Sequence, residues 1–217
     1  MVTTSGWYLA LGLAAAAALQ QPAAKPEMAK QELERPADWI VRHDQAGEQK
    51  IYFVKMPPGW HVTTGPGSIL YHPDKRATGR YRVEAEIFLF PGTSAGGHGI
   101  FFGGQHLDGS GNGPAYWTWQ LDRDGTLTHG RYLQGRREGG AEGAKHPAVV
   151  PSSQDKAVKN VLAVEVDGDT VRLFVNGQHV GTTTIAGAAG GTWDGTVGLR
   201  VDADVNLHLT RLDVIAR

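Results

Sequence analysis

Residues 79–91, Gly-Arg-Tyr-Arg-Val-Glu-Ala-Glu-Ile-Phe-Leu-Phe-Pro, alternate in twos. A period of two cannot lay an apolar stripe along a helix, so the segment is an extended strand with two unlike faces. Tyr81, Val83, Ala85, Ile87 and Leu89 share one face, and Arg82, Glu84, Glu86, Phe88 and Phe90 share the other. Comparable runs follow at 98–102, 115–121, 127–134, 158–166, 171–175, 179–185, 197–201 and 205–214, each bounded by Gly, Pro, Asp or Asn. Asp124-Gly125, Asp167-Gly168-Asp169 and Asn176-Gly177 stand between such runs and supply the positive φ that tight hairpins require. No stretch of ten or more residues after Pro36 carries a helical stripe. About ten to twelve strands in about 180 residues are too many for a seven-stranded immunoglobulin sandwich, and their spacing fits two antiparallel sheets packed face to face. The expected fold is therefore all-β, a two-sheet antiparallel jelly-roll sandwich. The 30 glycines of the 217 residues fit a fold with many tight turns.

The ends of the chain read differently. The first charged side chain is Lys25, and Trp7 to Leu19 is an unbroken apolar run of 13 residues. That is too short to span a bilayer and matches the apolar core of a secretory signal, with Ala16-Ala17-Ala18 or Pro22-Ala23-Ala24 as the small-residue cleavage site. No basic residue precedes it, which leaves an uncleaved anchor or a misplaced start as the alternatives. The division expected is a signal peptide over 1–24, a Lys/Glu/Gln/Pro spacer over 25–38 and the sandwich over 39–217, in a secreted or periplasmic protein. Cysteine is absent, so a lipoprotein anchor, a disulfide framework, thiolate metal sites and a cysteine nucleophile are excluded. Lys and Arg number 21 against 22 Asp and Glu, a net charge of -1 that gives no electrostatic drive toward nucleic acid. No transmembrane span is expected, and the oligomeric state is open.

Two stretches carry a resemblance. Asn160 to Gly181, with its Val175-Asn176-Gly177 turn, followed by Gly195-Thr-Val-Gly-Leu-Arg-Val201 and a closing strand ending Leu212-Asp-Val214, resembles the C-terminal half of concanavalin A-like jelly rolls. Tyr81 to Leu89 followed by Gly97-His-Gly-Ile-Phe-Phe-Gly103 resembles the 3-keto-disaccharide hydrolase type of domain. The resemblance spans roughly residues 50–215 and implies a sandwich with carbohydrate ligands or substrates. The Asn-Ser-Gly-Ile and following Arg of those hydrolases are replaced here by Gly97-His98-Gly99-Ile100 and Phe101. The nearest string to the E-x-D-x-E strand of family 16 glucanases is Glu165-Val-Asp167-Gly-Asp169, which falls on a hairpin tip unsuited to holding catalytic carboxylates in place.

Candidate site residues follow from the faces. Glu84 and Glu86, about 6.5–7 Å apart along one strand face, suit the acid and nucleophile or base of glycoside cleavage. A solvated outer face with Arg82 as ion partner accounts for the same pattern. Phe88 and Phe90 extend that face with rings suited to stacking on sugar. Trp117 and Trp119 share a face with Ala115 and Leu121, which argues for the core, with a carbohydrate platform as the alternative; Tyr116, Thr118 and Gln120 then turn outward as a polar set for hydroxyl groups. Asp108, Ser110 and Asn112 alternate in a Gly-rich loop like the start of a calcium loop, although Trp119 holds the twelfth position instead of Glu. Asp202 and Asp204 form a second such candidate. Nine histidines show no metal spacing, and His98 and His106 flank the Gly-rich region as candidate acid, base or binding groups. Nucleophile-elbow, phosphate-loop and dinucleotide motifs are absent.

The expected function is a secreted, non-catalytic carbohydrate-binding module, using one sheet face and the Gly-rich loops 92–114 and 135–146, with Phe88, Phe90, Tyr116, Gln120 and His106 as ligand-binding residues. The alternatives are a glycoside hydrolase of the 3-keto-disaccharide or glucanase kind using Glu84, Glu86 and His98, or a structural envelope protein. The partner expected is a carbohydrate or a cell-envelope component. No cofactor is expected beyond the calcium ion that the 108–112 loop suggests.

Overall fold

The computed structural model describes residues 34–46, 50–184 and 192–217. The apolar run Trp7–Leu19, its cleavage sites and the spacer as far as residue 33 lie outside the described residues. At the described end of that spacer, the Lys55 amide donates to the Glu34 carbonyl at 2.9 Å. Trp39 then packs against Phe53 and Trp60 at centroid distances of 5.6 and 4.9 Å, which seats the chain on the sandwich before the first strand begins.

Fifteen strands and no helix make up the described residues. They are β1 (Ile40–His43), β2 (Ile51–Lys55), β3 (Trp60–Thr64), β4 (Ser68–Tyr71), β5 (Arg76–Ala77), β6 (Tyr81–Leu89), β7 (His98–Gln105), β8 (Ala115–Leu121), β9 (Thr126–Leu133), β10 (Arg136–Lys145), β11 (Val158–Asp167), β12 (Thr170–Val175), β13 (Gln178–Thr184), β14 (Gly195–Val201) and β15 (Asn206–Ala216). One sheet runs β1-β4-β14-β7-β8-β9-β10, with β5 also paired to β14, and is called the front sheet below. The back sheet runs β13-β12-β11-β6-β15-β3-β2. Every pairing is antiparallel.

The core lies between the sheets. Alternation on β6 holds over its whole length: Tyr81, Val83, Ala85, Ile87 and Leu89 are buried and the intervening residues are not. They meet Leu162, Val164 and Val166 of β11 and Leu207, Leu209 and Leu212 of β15 in one cluster with Ile100, Phe102, Trp119, Leu121, Val197, Leu199 and Val201 of the front sheet. Strict alternation would turn Leu212 of β15 outward from Leu209. A register shift between Leu209 and Arg211 inserts Thr210 as an extra residue and returns Leu212 to the core.

The two sheets differ in their outer faces. β4 and β14 are buried at every position, and β7 at all but its last, whereas β6 alternates. A second apolar cluster, Ile69, Tyr71, Phe101, Leu107, Tyr116 and Tyr132, covers the outer side of the front sheet. The expected Gly-rich loop over 135–146 is instead strand β10, an edge strand whose register against β9 shifts twice. Glycines, charges and bulges are the ordinary composition of an edge that must not recruit further strands.

Candidate functional site

The back sheet's outer face carries Glu84 and Glu86, and there the expectation of a catalytic pair is corrected. Glu84 accepts from Arg82 Nη2 at 2.9 Å and from Arg211 Nη2 at 2.5 Å. Against the upward pull of its partial burial, these hydrogen bonds hold the Glu84 carboxyl below the usual range, the opposite of what a proton-donating acid needs. Lys159 Nζ lies 3.6 Å from Glu86, and Glu165 and Asp167 are bridged by Arg82, Arg172, Arg80 and Arg217. The face is an ion-pair lattice over four neighbouring strands. Phe88 and Phe90 are half-buried beside it: Lys159 stands 6.0 Å from the Phe88 ring, and Phe90 packs on His61 at 5.3 Å.

On the front sheet, Tyr116, Thr118 and Gln120 do lie on the face opposite Trp119, as alternation requires, but that face is covered and all three are buried. Arg200 organises it. Its guanidinium holds Asp44 with two hydrogen bonds of 2.5 and 2.6 Å, reaches Asp202 Oδ1 at 3.0 Å and lies 4.9 Å from the centre of the Tyr132 ring, which stacks on Tyr116. The segment after β1 is thereby fastened across the sheet, and Gln120 Nε2 donates to Asp202 Oδ1 at 3.3 Å.

His98 is not on that face. Its register partners are Leu121 and Val201, both core residues, and it is 1% exposed with Nδ1 lacking a hydrogen-bond partner among the described residues. Burial, reinforced by Arg123, pushes its pKa down to about 4. A neutral imidazole between the sheets is remote from both Glu84 and Glu86 on the outer surface, so the three do not form one site.

Asp122 escaped the sequence reading. It follows β8 as Asp202 follows β14, and β7 runs between those strands with Gly97 at its head. Both carboxylates point at the place where a Gly97 side chain would stand: Asp202 Oδ2 is 3.3 Å from that point and Asp122 Oδ1 is nearer. The two carboxylates are therefore near neighbours across Gly97. Burial, then the charges of Asp202 and Asp124, push the Asp122 carboxyl up to about 6. Asp202 accepts hydrogen bonds from a different set of groups, the Arg200 and Gln120 side chains and the Gly97 amide.

At the opposite end of the same strands a pocket of about 510 Å³ opens between the 106–113 loop, the start of β8 and the end of β9. Here the structure brings together His106, Asn112, Tyr116 and Trp117, which the sequence singled out separately, with Gln105, Arg131 and Gln134, which it did not. Trp117 is half-buried, its indole set between Trp193 at 4.6 Å and the Arg131 guanidinium at 5.5 Å. Counting outward from the Asp124-Gly125 turn pairs Leu121 with Leu127 and hence Trp117 with Arg131, the register observed. That arithmetic was the signal available for Arg131.

In the 108–112 loop the candidate ligands make bonds within the loop or face the pocket. Asp108 Oδ1 accepts from the Ser110 amide at 2.9 Å, Ser110 Oγ sits 3.3 Å from His106, and Asn112 faces the pocket. Among the described residues no three His, Asp or Glu side chains gather in a metal-holding group, Asp202 and Asp204 included.

No protein-family model matches the chain, and no curated protein matches it. Solved structures do. A carbohydrate binding module, CBM66 from Bacillus subtilis, superposes with a TM-score of 0.62 at 13% identity over 82% of this chain and 96% of that one. The fold is a concanavalin A-like jelly roll. A Bacillus subtilis protein of unknown function with a galectin-like fold gives 0.63 at 15% identity, covering 82% and 89%. A Bacteroides ovatus family GH16 protein of a mixed linkage glucan locus, in complex with a G4G4G3G product, gives 0.56 at 10% identity, covering 85% and 97%. Among the described residues of this jelly roll no helix is long and apolar enough to cross a membrane.

Proposed function

We propose that the chain is a carbohydrate-binding module whose ligand enters the pocket bounded by Gln105, His106, Asn112, Trp117, Arg131 and Gln134. The observation that carries this reading is the lining itself. An indole supplies apolar area for the C–H face of a pyranose, and carboxamides, an imidazole and a guanidinium surround it with donors and acceptors for hydroxyl groups. A volume of about 510 Å³ falls within the range of small-molecule sites. The presence of a carbohydrate binding module and a glucan-complexed protein among the structures of this fold supports the same reading. The site expected on Phe88 and Phe90 is less well supported, because those rings pack on Lys159 and His61.

Titration calorimetry and affinity electrophoresis against a glycan panel test the proposal. Asn112→Ala and Gln134→Ala, both on the pocket rim, are expected to weaken binding with the melting temperature unchanged, and Phe88→Ala to leave affinity intact. Binding that survives both rim substitutions and fails with Phe88→Ala overturns the choice of site. No binding to any glycan favours a structural role.

One observation favours a second reading, glycoside cleavage of the 3-keto-disaccharide or glucanase kind: the Asp122 carboxyl, pushed up to about 6, lies beside Asp202 at Gly97. In that reading Asp122 is the acid and Asp202 the partner. A hydrolysis screen in which Asp122→Asn abolishes turnover while binding persists decides for it. We further propose export from the cytoplasm, supported by the apolar run Trp7–Leu19, which cell fractionation of the full chain tests.

A further inference from the structure

We propose that the glycan bound in this pocket is acidic, a uronate-containing saccharide whose carboxylate seats on Arg131. The inference rests on the carbohydrate reading and adds the ligand's chemical class. Arg131 is the one permanently charged side chain in the lining, and no Asp or Glu lines the pocket. The protein's other buried or half-buried guanidiniums are engaged. Arg200 holds Asp44 and Asp202, Arg82 holds Glu84 and Glu165, Arg123 donates to the carbonyls of Ser94 and Phe90, and Arg42 donates to that of Leu107. Among the described residues no carboxylate pairs with Arg131. Its cross-strand neighbour Glu138 is aligned by register without forming an ion pair, and the loop's own Asp108 turns to the Ser110 amide.

The guanidinium is instead parked over the Trp117 ring at 5.5 Å, an arrangement that orients its plane while leaving its N–H fork without an anion. A planar fork of donors matches a carboxylate with two parallel hydrogen bonds, and partial removal from water strengthens that attraction. Gln134 and Asn112 beside it offer amide donors to the remaining carboxylate and hydroxyl oxygens. A neutral sugar uses the same aromatic wall and leaves the cation uncompensated. A uronate satisfies both.

The test compares oligogalacturonate and oligomannuronate with their carboxyl-reduced neutral counterparts by calorimetry on the full chain. The wild type is expected to bind at least one uronate about tenfold or more tighter than its reduced form, with affinity falling as salt rises. Arg131→Gln is expected to remove the preference, bringing the affinities for acidic and reduced forms together. Gln134→Glu, which sets a competing carboxylate at the rim, is expected to weaken uronate binding more than neutral binding and guards against a folding defect in the first variant. Equal affinity for acidic and neutral forms, or a preference that survives Arg131→Gln, overturns the proposal while the carbohydrate reading stands. Absence of binding to both forms and to the wider panel overturns the carbohydrate reading, and the proposal falls with it.

Discussion

Asp122 and Asp202 approach one point from either side of Gly97, and only Asp202 is compensated there. The Gly97 amide donates to Asp202 Oδ2 at 2.9 Å, and Arg200 and Gln120 reach its other oxygen, while among the described residues no donor is placed on the Asp122 carboxylate. Two like groups on one glycine thus divide into a hydrogen-bonded carboxylate and a carboxyl whose pKa is pushed up to about 6.

The raised Asp122 pKa has a direct stability consequence. The folded state binds this proton more tightly than the unfolded chain, so the group's destabilising effect grows as pH rises from about 4 through about 6 and is complete above about 7. Asp122→Asn is expected to stabilise the protein at pH 7.5 by about 1 kcal/mol, discounted for its partial exposure, and to change nothing below about pH 4. Thermal melts of the two proteins at both ends of that range check the sign, and equal shifts at both ends contradict it.

His98 acts in the other direction. Its folded pKa near 4 lies below the ordinary value of 6.5, so the unfolded chain takes up the proton first, and stability falls as pH drops from about 6.5 to about 4. The loss attributable to this residue is up to about 3 kcal/mol. His98→Leu is expected to flatten the acid limb of the stability profile, measured by urea titration at pH 7 and pH 4.5. A mutant profile parallel to the wild type's refutes the assignment.

The Arg200–Asp44 pair is the buried electrostatic tie of the front sheet, with the Arg200 side chain only 4% exposed. Removing one partner of such a pair costs about 3 kcal/mol, reduced here to the extent that Asp202 remains. Asp44→Ala is therefore expected to lower the melting midpoint by roughly 5–10 °C. Arg200→Met combined with Asp44→Leu is expected to recover part of the loss, since the surroundings are Tyr116, Tyr132 and Phe101. Additive losses in the double variant would contradict this account.

The back-sheet lattice should behave oppositely. Glu84→Gln disturbs contacts on a partly solvated face where each ion pair contributes about 0–1 kcal/mol, and is expected to leave both glycan binding and any hydrolysis unchanged. Loss of turnover in this variant would restore the pair to a catalytic role.

Much of this was legible in the chain. The period of β6 assigned each of its nine residues to a face, and Asn176-Gly177, with φ of 49° and 79°, made the turn its dipeptide implies. Local geometry suffices there, because alternation and turn conformation are properties of neighbouring residues. The same alternation placed Tyr116, Thr118 and Gln120 correctly across from Trp119, yet read them as exposed. Whether a face meets water depends on what crosses it, and the segment that crosses, held by Asp44 on Arg200, is separated from its partner by 156 positions. Glu84 and Glu86 were readable as a carboxylate pair with Arg82 beside them, but their further cations, Arg211 and Lys159, come from β15 and β11, so sheet order completed the lattice. The sequence by itself determined an all-β sandwich, its core face and its hairpins, since those follow from period and turn chemistry. Only the tertiary structure decided which charges are compensated and which strand ends form a pocket, because both depend on neighbours that the chain supplies from far away.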